Sequence, residues 1–368
     1  MAALTEQMHL AEALGELATT LESVEFGPAT ADLAVERDRL VGTIRSFLVP
    51  RAIDPTAPLT VVLAGPTGSG KSTIANTLTG LDITPTGALR PTTTDPVVLT
   101  SPDRVGNYES IGGVRCRVIA GHAPVLDTIV LVDTPDIDST STAHREVAET
   151  LIDNADIVLF VTSALRYADE IPWQVLRRAL SRGTPVINIL NRVSPSTTGA
   201  IVDFRSRLAA AGLDDRIVTM SEHHLAEGSQ QVPSLAIRSL RRRLFSIVAD
   251  RERFADDVFT RVLRATVDQI GDVARSMAQL DDELSRLEAD LSRDLAVRVS
   301  SIDFSGLGEG PGEGSSNRPL LPGTRRWKSG SGPTVANGSI LVRRLVAIVE
   351  GDIRNWLVDG HDALHSRH

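Results

Sequence analysis

The chain has one cysteine, Cys116, in 368 residues. A single thiol excludes an internal disulfide framework and fits a reducing compartment or low cysteine use. Long apolar runs are missing too: no stretch reaches the roughly 18 apolar residues of a bilayer-spanning helix. Met1 to Gln7 has neither the basic start nor the long apolar core of a secretory signal. There is no basic excess, and a formal net charge of -9 argues against a general nucleic-acid binder, which needs surplus Lys and Arg to neutralise phosphates. His223-His224 has no third ligand at a useful spacing, so a loop role is expected there rather than metal. No Ser-His-Asp or Cys-His arrangement offers a persuasive alternative catalytic site. These absences predict a cytoplasmic protein whose contact with a membrane is at most peripheral, with no nucleic acid among its partners.

What is present is a phosphate-binding pattern. Gly65, Pro66, Thr67, Gly68, Ser69, Gly70, Lys71 and Ser72, followed by Thr73, satisfy G-x-x-x-x-G-K-[ST]. The apolar run Leu59 to Ala64 before it reads as a buried strand, and Ser72 to Leu78 after it as the start of a helix, which is the context the motif requires. There the glycines let the backbone wrap closely, successive N–H groups point at one oxyanion cluster, and the helix dipole adds to them. Lys71 is expected to reach the outer phosphates and Ser72 to complete a magnesium shell. The pattern predicts a nucleoside polyphosphate site.

Around this motif the chain divides into five parts. Residues 1–56 carry two helical stripes, Leu10, Leu14, Leu17 and Leu21, then Leu33, Leu40, Ile44 and Leu48, with Gly27-Pro28 between them and a hinge expected from Pro50 to Pro58. Residues 57–232 alternate short β-branched runs with amphipathic segments: Val97 to Leu99, Thr128 to Val132, Ile157 to Val161, Pro185 to Leu190 and Arg216 to Met220. This is the signature of a mostly parallel sheet covered by helices, an α/β fold of the P-loop NTPase kind. Residues 233–303 turn helical, with a seven-residue seam through Leu263, Ile270, Met277, Leu284 and Leu291, reinforced by Val273, Leu280 and Leu287. The seam is expected to pack on the chain's own N-terminal helices, with an intermolecular coiled coil as the alternative. Residues 304–338 read as a Gly/Ser/Pro-rich linker, and 339–368 as a C-terminal amphipathic helix.

Further elements narrow the class of nucleotide site. Asp133-Thr134-Pro135-Asp136 follows a buried strand, where an acid can hold a magnesium-bound water or the Ser72 hydroxyl. Arg90-Pro91-Thr92-Thr93-Thr94 precedes the strand Val97 to Leu99, and a threonine there can close over a terminal phosphate as an order–disorder switch. Asn191-Arg192-Val193-Ser194 and Ser221 to His224 follow two later strands, at the carboxyl ends where a base-reading loop belongs.

In order and spacing this set resembles the translation-factor-related GTPases, and within them the bacterial dynamin-like and Era-like branches. The resemblance covers about half the chain, residues 57–232. It implies that Gly65 to Thr73 bind the phosphates of GTP or GDP, that Lys71 and Thr93 act in catalysis, and that Ser72, Thr93 and Asp133 hold Mg2+. It further implies that Asn191 and Arg192 contact the base, and that flanking helices form a bundle or stalk. A homo-oligomer or a paired GTPase is implied as a partner, along with peripheral membrane contact. The basic cluster Arg238, Arg241, Arg242 and Arg243 is expected to be solvated or to face the bundle, with acidic lipid or a partner as the alternative.

The chain departs from the family pattern in three respects. Asp136 replaces the glycine whose N–H meets the terminal phosphate, so either the loop turns it outward or triphosphate contact weakens. Ser194 replaces the aspartate that accepts two hydrogen bonds from guanine. Ile137 and Gly68 stand where relatives place a water-orienting side chain. The expected activity is a slow GTPase assisted by a partner, with a nucleotide-binding scaffold of negligible turnover or an ATP-using P-loop enzyme as alternatives. No Leu-Ser-Gly-Gly-Gln signature points to a transporter ATPase.

Overall fold

The computed structural model describes residues 2–26, 30–81, 95–138, 142–222 and 231–300. The expected switch threonines, His223-His224, the linker 304–338 and the C-terminal helix 339–368 lie outside the described residues.

The leucine stripes become α1 (Ala2–Glu22) and α2 (Ala31–Thr43), and α2 continues through a π-helical turn, Ile44–Leu48, into α3 (Val49–Ile53). Helix therefore runs through Pro50, where the sequence suggested a hinge. Proline supplies no N–H to the helical ladder, and the wider turn just before it absorbs the missing bond. Residues 54–58 alone remain to turn the chain into the sheet.

That sheet begins with β1 (Leu59–Ala64), followed by α4 (Lys71–Thr79), β2 (Val97–Thr100), a small hairpin of β3 (Ser110–Ile111) and β4 (Val114–Arg115), β5 (Arg117–Ala120) and β6 (Ile129–Asp133). Next come α5 (Thr142–Asp153), β7 (Ile157–Ser163), α6 (Glu170–Ser181), β8 (Val186–Val193), α7 (Gly199–Ala210) and β9 (Ile217–Ser221). Seven strands make one sheet in the order β5-β2-β6-β1-β7-β8-β9. Every pairing is parallel except β2 with β6. The fold is the P-loop α/β arrangement, with helices on both faces.

Alternation along the strands explains the two faces. Val61 and Leu63 point to one side, where they meet Ile74 and Leu78 of α4. Val62 and Ala64 point to the other, among Leu151, Ile152, Trp173, Leu176, Phe204 and Leu208. Tyr167 and Trp173 close this second core against Phe204, with ring centroids 5.7 and 6.2 Å away.

Two long helices complete the described chain, α8 (Arg238–Val248) and α9 (Arg251–Ser300). Leu240 and Leu244 of α8 join the core containing β1, so the segment after Pro233 first covers the sheet. Within the basic cluster, Arg241 donates to the Thr77 carbonyl and Arg243 pairs with Asp214, while Arg238 and Arg242 are exposed. α9 then leaves the sheet for the N-terminal helices: Val258, Val262, Leu263, Ile270 and Val273 are buried with Leu14, Leu17, Leu21, Leu40, Ile44 and Leu48. The first half of the seam is thus an intramolecular core. Farther along, Leu287 is 58% exposed. No described helix is long and apolar enough to cross a membrane.

The helical body is fixed to the base of the sheet by buried charges. Arg51 of α3 pairs with Asp156, just ahead of β7, and that carboxylate also accepts the Thr60 N–H at 2.7 Å. Arg182 lies over the Phe47 ring at 4.3 Å and donates to the Ala155 carbonyl at 3.1 Å.

Candidate functional site

The register of the parallel strands assembles the site. Leu63 of β1 pairs with Asp133 of β6, and Ser163 of β7 with Asn191 of β8, so the carboxyl ends of four neighbouring strands meet at one edge. The loop from β1 to α4 lies across this edge. A Cβ on Gly65 would collide with the Val161 carbonyl oxygen, which lets no larger residue leave β1 at this angle. Gly70 has φ 101°, and a Cβ there would stand 2.5 Å from Asn191 Nδ2. The glycine spacing in the sequence therefore has steric causes at both ends of the loop.

Lys71 opens α4 and is 5% exposed. Its ammonium donates to the Gly65 carbonyl at 2.9 Å, the Pro66 carbonyl at 3.4 Å and Asp136 Oδ1 at 2.6 Å. Asp136 thus faces inward, onto the cation of the loop, and not outward into solvent. Ser72 Oγ donates to Asp133 Oδ2 at 2.6 Å. Asp133 is wholly buried, and burial pushes its carboxyl up to about 6, against the opposing pull of the Lys71 charge and the Ser72 hydrogen bond and with a further push from Asp136. Among the described residues its Oδ1 has no hydrogen-bond partner, and neither has the buried hydroxyl of Ser69.

Those orphaned oxygens bear on magnesium. A hard cation takes oxygen ligands and keeps several waters when bound beside phosphates. Asp133 and Ser72 supply a carboxylate and a hydroxyl at one point, and the residues fit the ion. Among the described residues no group of three His, Cys, Asp or Glu side chains could hold a metal by itself.

At the end of β8, Asn191 Nδ2 donates to the Ser69 carbonyl at 2.8 Å, and its Oδ1 accepts the Arg192 N–H. Asn191 therefore clasps the phosphate loop to β8. Arg192 has φ 55°, an unusual value outside glycine, and is exposed. The Ser194 hydroxyl is engaged with Thr197 in capping the short turn Pro195–Thr197. Thr73, in the first turn of α4, accepts at its carbonyl a hydrogen bond from the Thr77 hydroxyl at 2.7 Å. The structure brings together Gly65 to Thr73, Asp133 and Asn191; Arg192 follows Asn191 with an exposed side chain, and Thr93 lies outside the described residues.

Two participants escaped the sequence reading. Asp138 accepts the Thr67 N–H at 2.7 Å and the Thr67 hydroxyl at 2.9 Å, and it pairs with Arg166 at 2.7 Å. Burial raises its carboxyl, but the Thr67 and Arg166 contacts outweigh this and hold it below the usual range. Arg166 also donates to the Thr67 carbonyl and binds Asp169. Nothing local in the sequence marks Arg166, which reaches a loop 99 residues earlier.

Residues 60–192 match the family described as 50S ribosome-binding GTPase. This segment is a P-loop GTPase domain. Among curated proteins the chain is similar to the tRNA modification GTPase MnmE of Bordetella parapertussis, 30% identical over 173 residues, covering 47% of this chain and 33% of that protein. Solved structures with a related arrangement include one from an oligomerised bacterial dynamin pair, at 13% identity and TM-score 0.41, covering 81% of this chain and 51% of that one. Another is Aquifex aeolicus Era bound to GDP.AlF4-, at 18% identity and TM-score 0.35, covering 52% of this chain and 56% of that one. The chain spans about a third of the length of the three Bordetella relatives matched at 30% identity and just over half of two further MnmE proteins. The curated relatives it matches include proteins named as GTPases.

Proposed function

We propose that the chain is a magnesium-dependent GTP-binding and GTP-hydrolysing switch whose nucleotide state is passed to the attached helices. The observation that carries this reading is the pairing of Ser72 with the buried Asp133 beside Lys71, inside a loop clasped by Asn191. Lys71 and the loop N–H groups bind the phosphates. Ser72 and Asp133 hold the ion, with Thr93 assigned to closing over the terminal phosphate, and Asn191 with Arg192 to the base. When bound, magnesium would neutralise charge on the phosphates; the chain's own residues orient them. Coupling to the helices has a physical route in the Arg51–Asp156 and Arg182–Phe47 contacts, which join the helical body to the strand ends opposite the site.

Turnover is proposed to be slow without a partner. Ile137 is wholly buried and Gly68 carries no side chain, so neither can orient an attacking water. A homo-oligomer, a paired GTPase or a partner at a membrane surface would supply the missing group, and the chain is assigned to the cytoplasm with peripheral membrane contact. Single-turnover hydrolysis by the purified full chain tests this reading. GTP cleavage that depends on magnesium and exceeds ATP cleavage supports it; binding with no cleavage of either favours the scaffold reading, for which Asp136 on Lys71 is the specific observation. Preferential ATP cleavage favours the third reading, for which Ser194, occupied in its cap, speaks.

A further inference from the structure

The loop leaving β6 places two carboxylates on the phosphate loop. Asp136 accepts one hydrogen bond from the Lys71 ammonium, and the other hydrogen bonds of that ammonium go to the Gly65 and Pro66 carbonyls. Asp138 takes the Thr67 N–H. A cation and a backbone N–H of the loop are thus both engaged by acids only two residues apart in sequence. The Lys71–Asp136 pair is well shielded, with the two side chains 5% and 13% exposed, so its charges are weakly screened.

From this geometry, and resting on the GTP-binding reading above, we infer that Asp136 is a specificity-determining residue that sets the preference between nucleoside di- and triphosphate. A triphosphate presents its terminal, most highly charged group to Lys71 on the side that Asp136 holds. Two anions cannot share that ammonium at hydrogen-bond distance without strong repulsion, so the terminal phosphate must expel Asp136 and move the loop that carries Asp138 with it. A diphosphate ends short of that group and meets less of this opposition. Asp136 consequently weakens triphosphate binding selectively, and the displacement of its loop records that a third phosphate has arrived.

The test is calorimetric titration of the full chain with GDP and with a non-hydrolysable GTP analogue, in magnesium, comparing wild type with Asp136→Asn. The substitution keeps the shape and removes the charge. The expected result is analogue affinity higher by about tenfold or more, with GDP affinity changed by less than about threefold. Asp136→Gly, which places here the residue the family uses, carries the same expectation should the asparagine variant not fold. An unchanged ratio of analogue to GDP affinity, with both nucleotides bound, overturns the role of Asp136 while leaving the GTPase reading intact. Failure of wild type and variants to bind either nucleotide overturns both.

Discussion

The GTPase domain and the helical body bury polar groups in different ways. In the helical core the buried hydroxyls of Thr20 and Thr266 bond to carbonyls one turn earlier on their own helices, at 2.8 Å each, and have no further business. At the strand ends of the GTPase domain, Ser72 is tied to a carboxylate 61 residues away, and Asp133 Oδ1 and Ser69 Oγ have no partner among the described residues. A polar atom buried without a partner costs free energy; such atoms also occur at the opposite end of the sheet, at Asp156 and Arg182, and those of Asp133 and Ser69 differ in standing beside Ser72 and Lys71. The helical body is organised for packing, the strand edge for a charged ligand. Substitutions in the two regions should therefore separate stability from binding.

The largest effect is expected from Lys71→Ala, which removes the cation of the loop. Triphosphate binding should vanish in a variant that still folds, with some loss in melting temperature from the broken Lys71–Asp136 pair; a folded variant with unchanged affinity would remove the site from this loop. Leu17→Ala should do the reverse. Leu17 is fully buried in the helical core, and its truncation should cost about 2–5 kcal/mol in chemical denaturation while leaving nucleotide affinity nearly intact.

Asp133 joins the two kinds of measurement. Its carboxyl is raised from 3.8 to about 6 in the fold, so the stability gained by burying it neutral is complete below pH 3.8 and is lost as pH rises through about 6. Replacement by Asn should flatten that segment of the stability profile. The same replacement should abolish the magnesium-dependent part of nucleotide binding, which in wild type should weaken as the pH falls below about 6 and the carboxyl takes up its proton. A magnesium effect that is independent of pH across that interval would contradict the assignment.

Smaller changes sharpen the base side and the free end of α9. Ser194→Asp restores the carboxylate that relatives direct at guanine, and should favour GTP over ATP by about 1–3 kcal/mol, read as a ratio of affinities. Leu287→Lys alters an exposed position of α9 and should change stability by less than about 0.5 kcal/mol. A loss of self-association in sedimentation by that variant would identify the outer seam as an interface between copies.

Legibility in the sequence followed the range of the interactions. The strand cores, the phosphate loop and Asp133 announce themselves within windows of a few residues, through alternation and glycine spacing. The edge strand Arg117–Ala120 did not, because it is short and half exposed. Pro50 misled for a related reason: a local rule about proline was overridden by a π-helical turn that only the surrounding packing stabilises. The Asn191–Ser69 clasp, the Arg51–Asp156 pair and the Arg166 contact to Thr67 span 122, 105 and 99 residues, and no local pattern encodes them. The charge of Asp136 was visible, but its direction was set by the tertiary position of Lys71.

The most direct test of the central claim, that this strand edge is a magnesium-assisted guanine nucleotide site, is competition of GTP and ATP against fluorescent GDP on the full chain, with and without magnesium. The account predicts displacement by GTP at lower concentration than by ATP, and a clear loss of GTP affinity when magnesium is chelated. Equal displacement by the two nucleotides with no response to magnesium would contradict it.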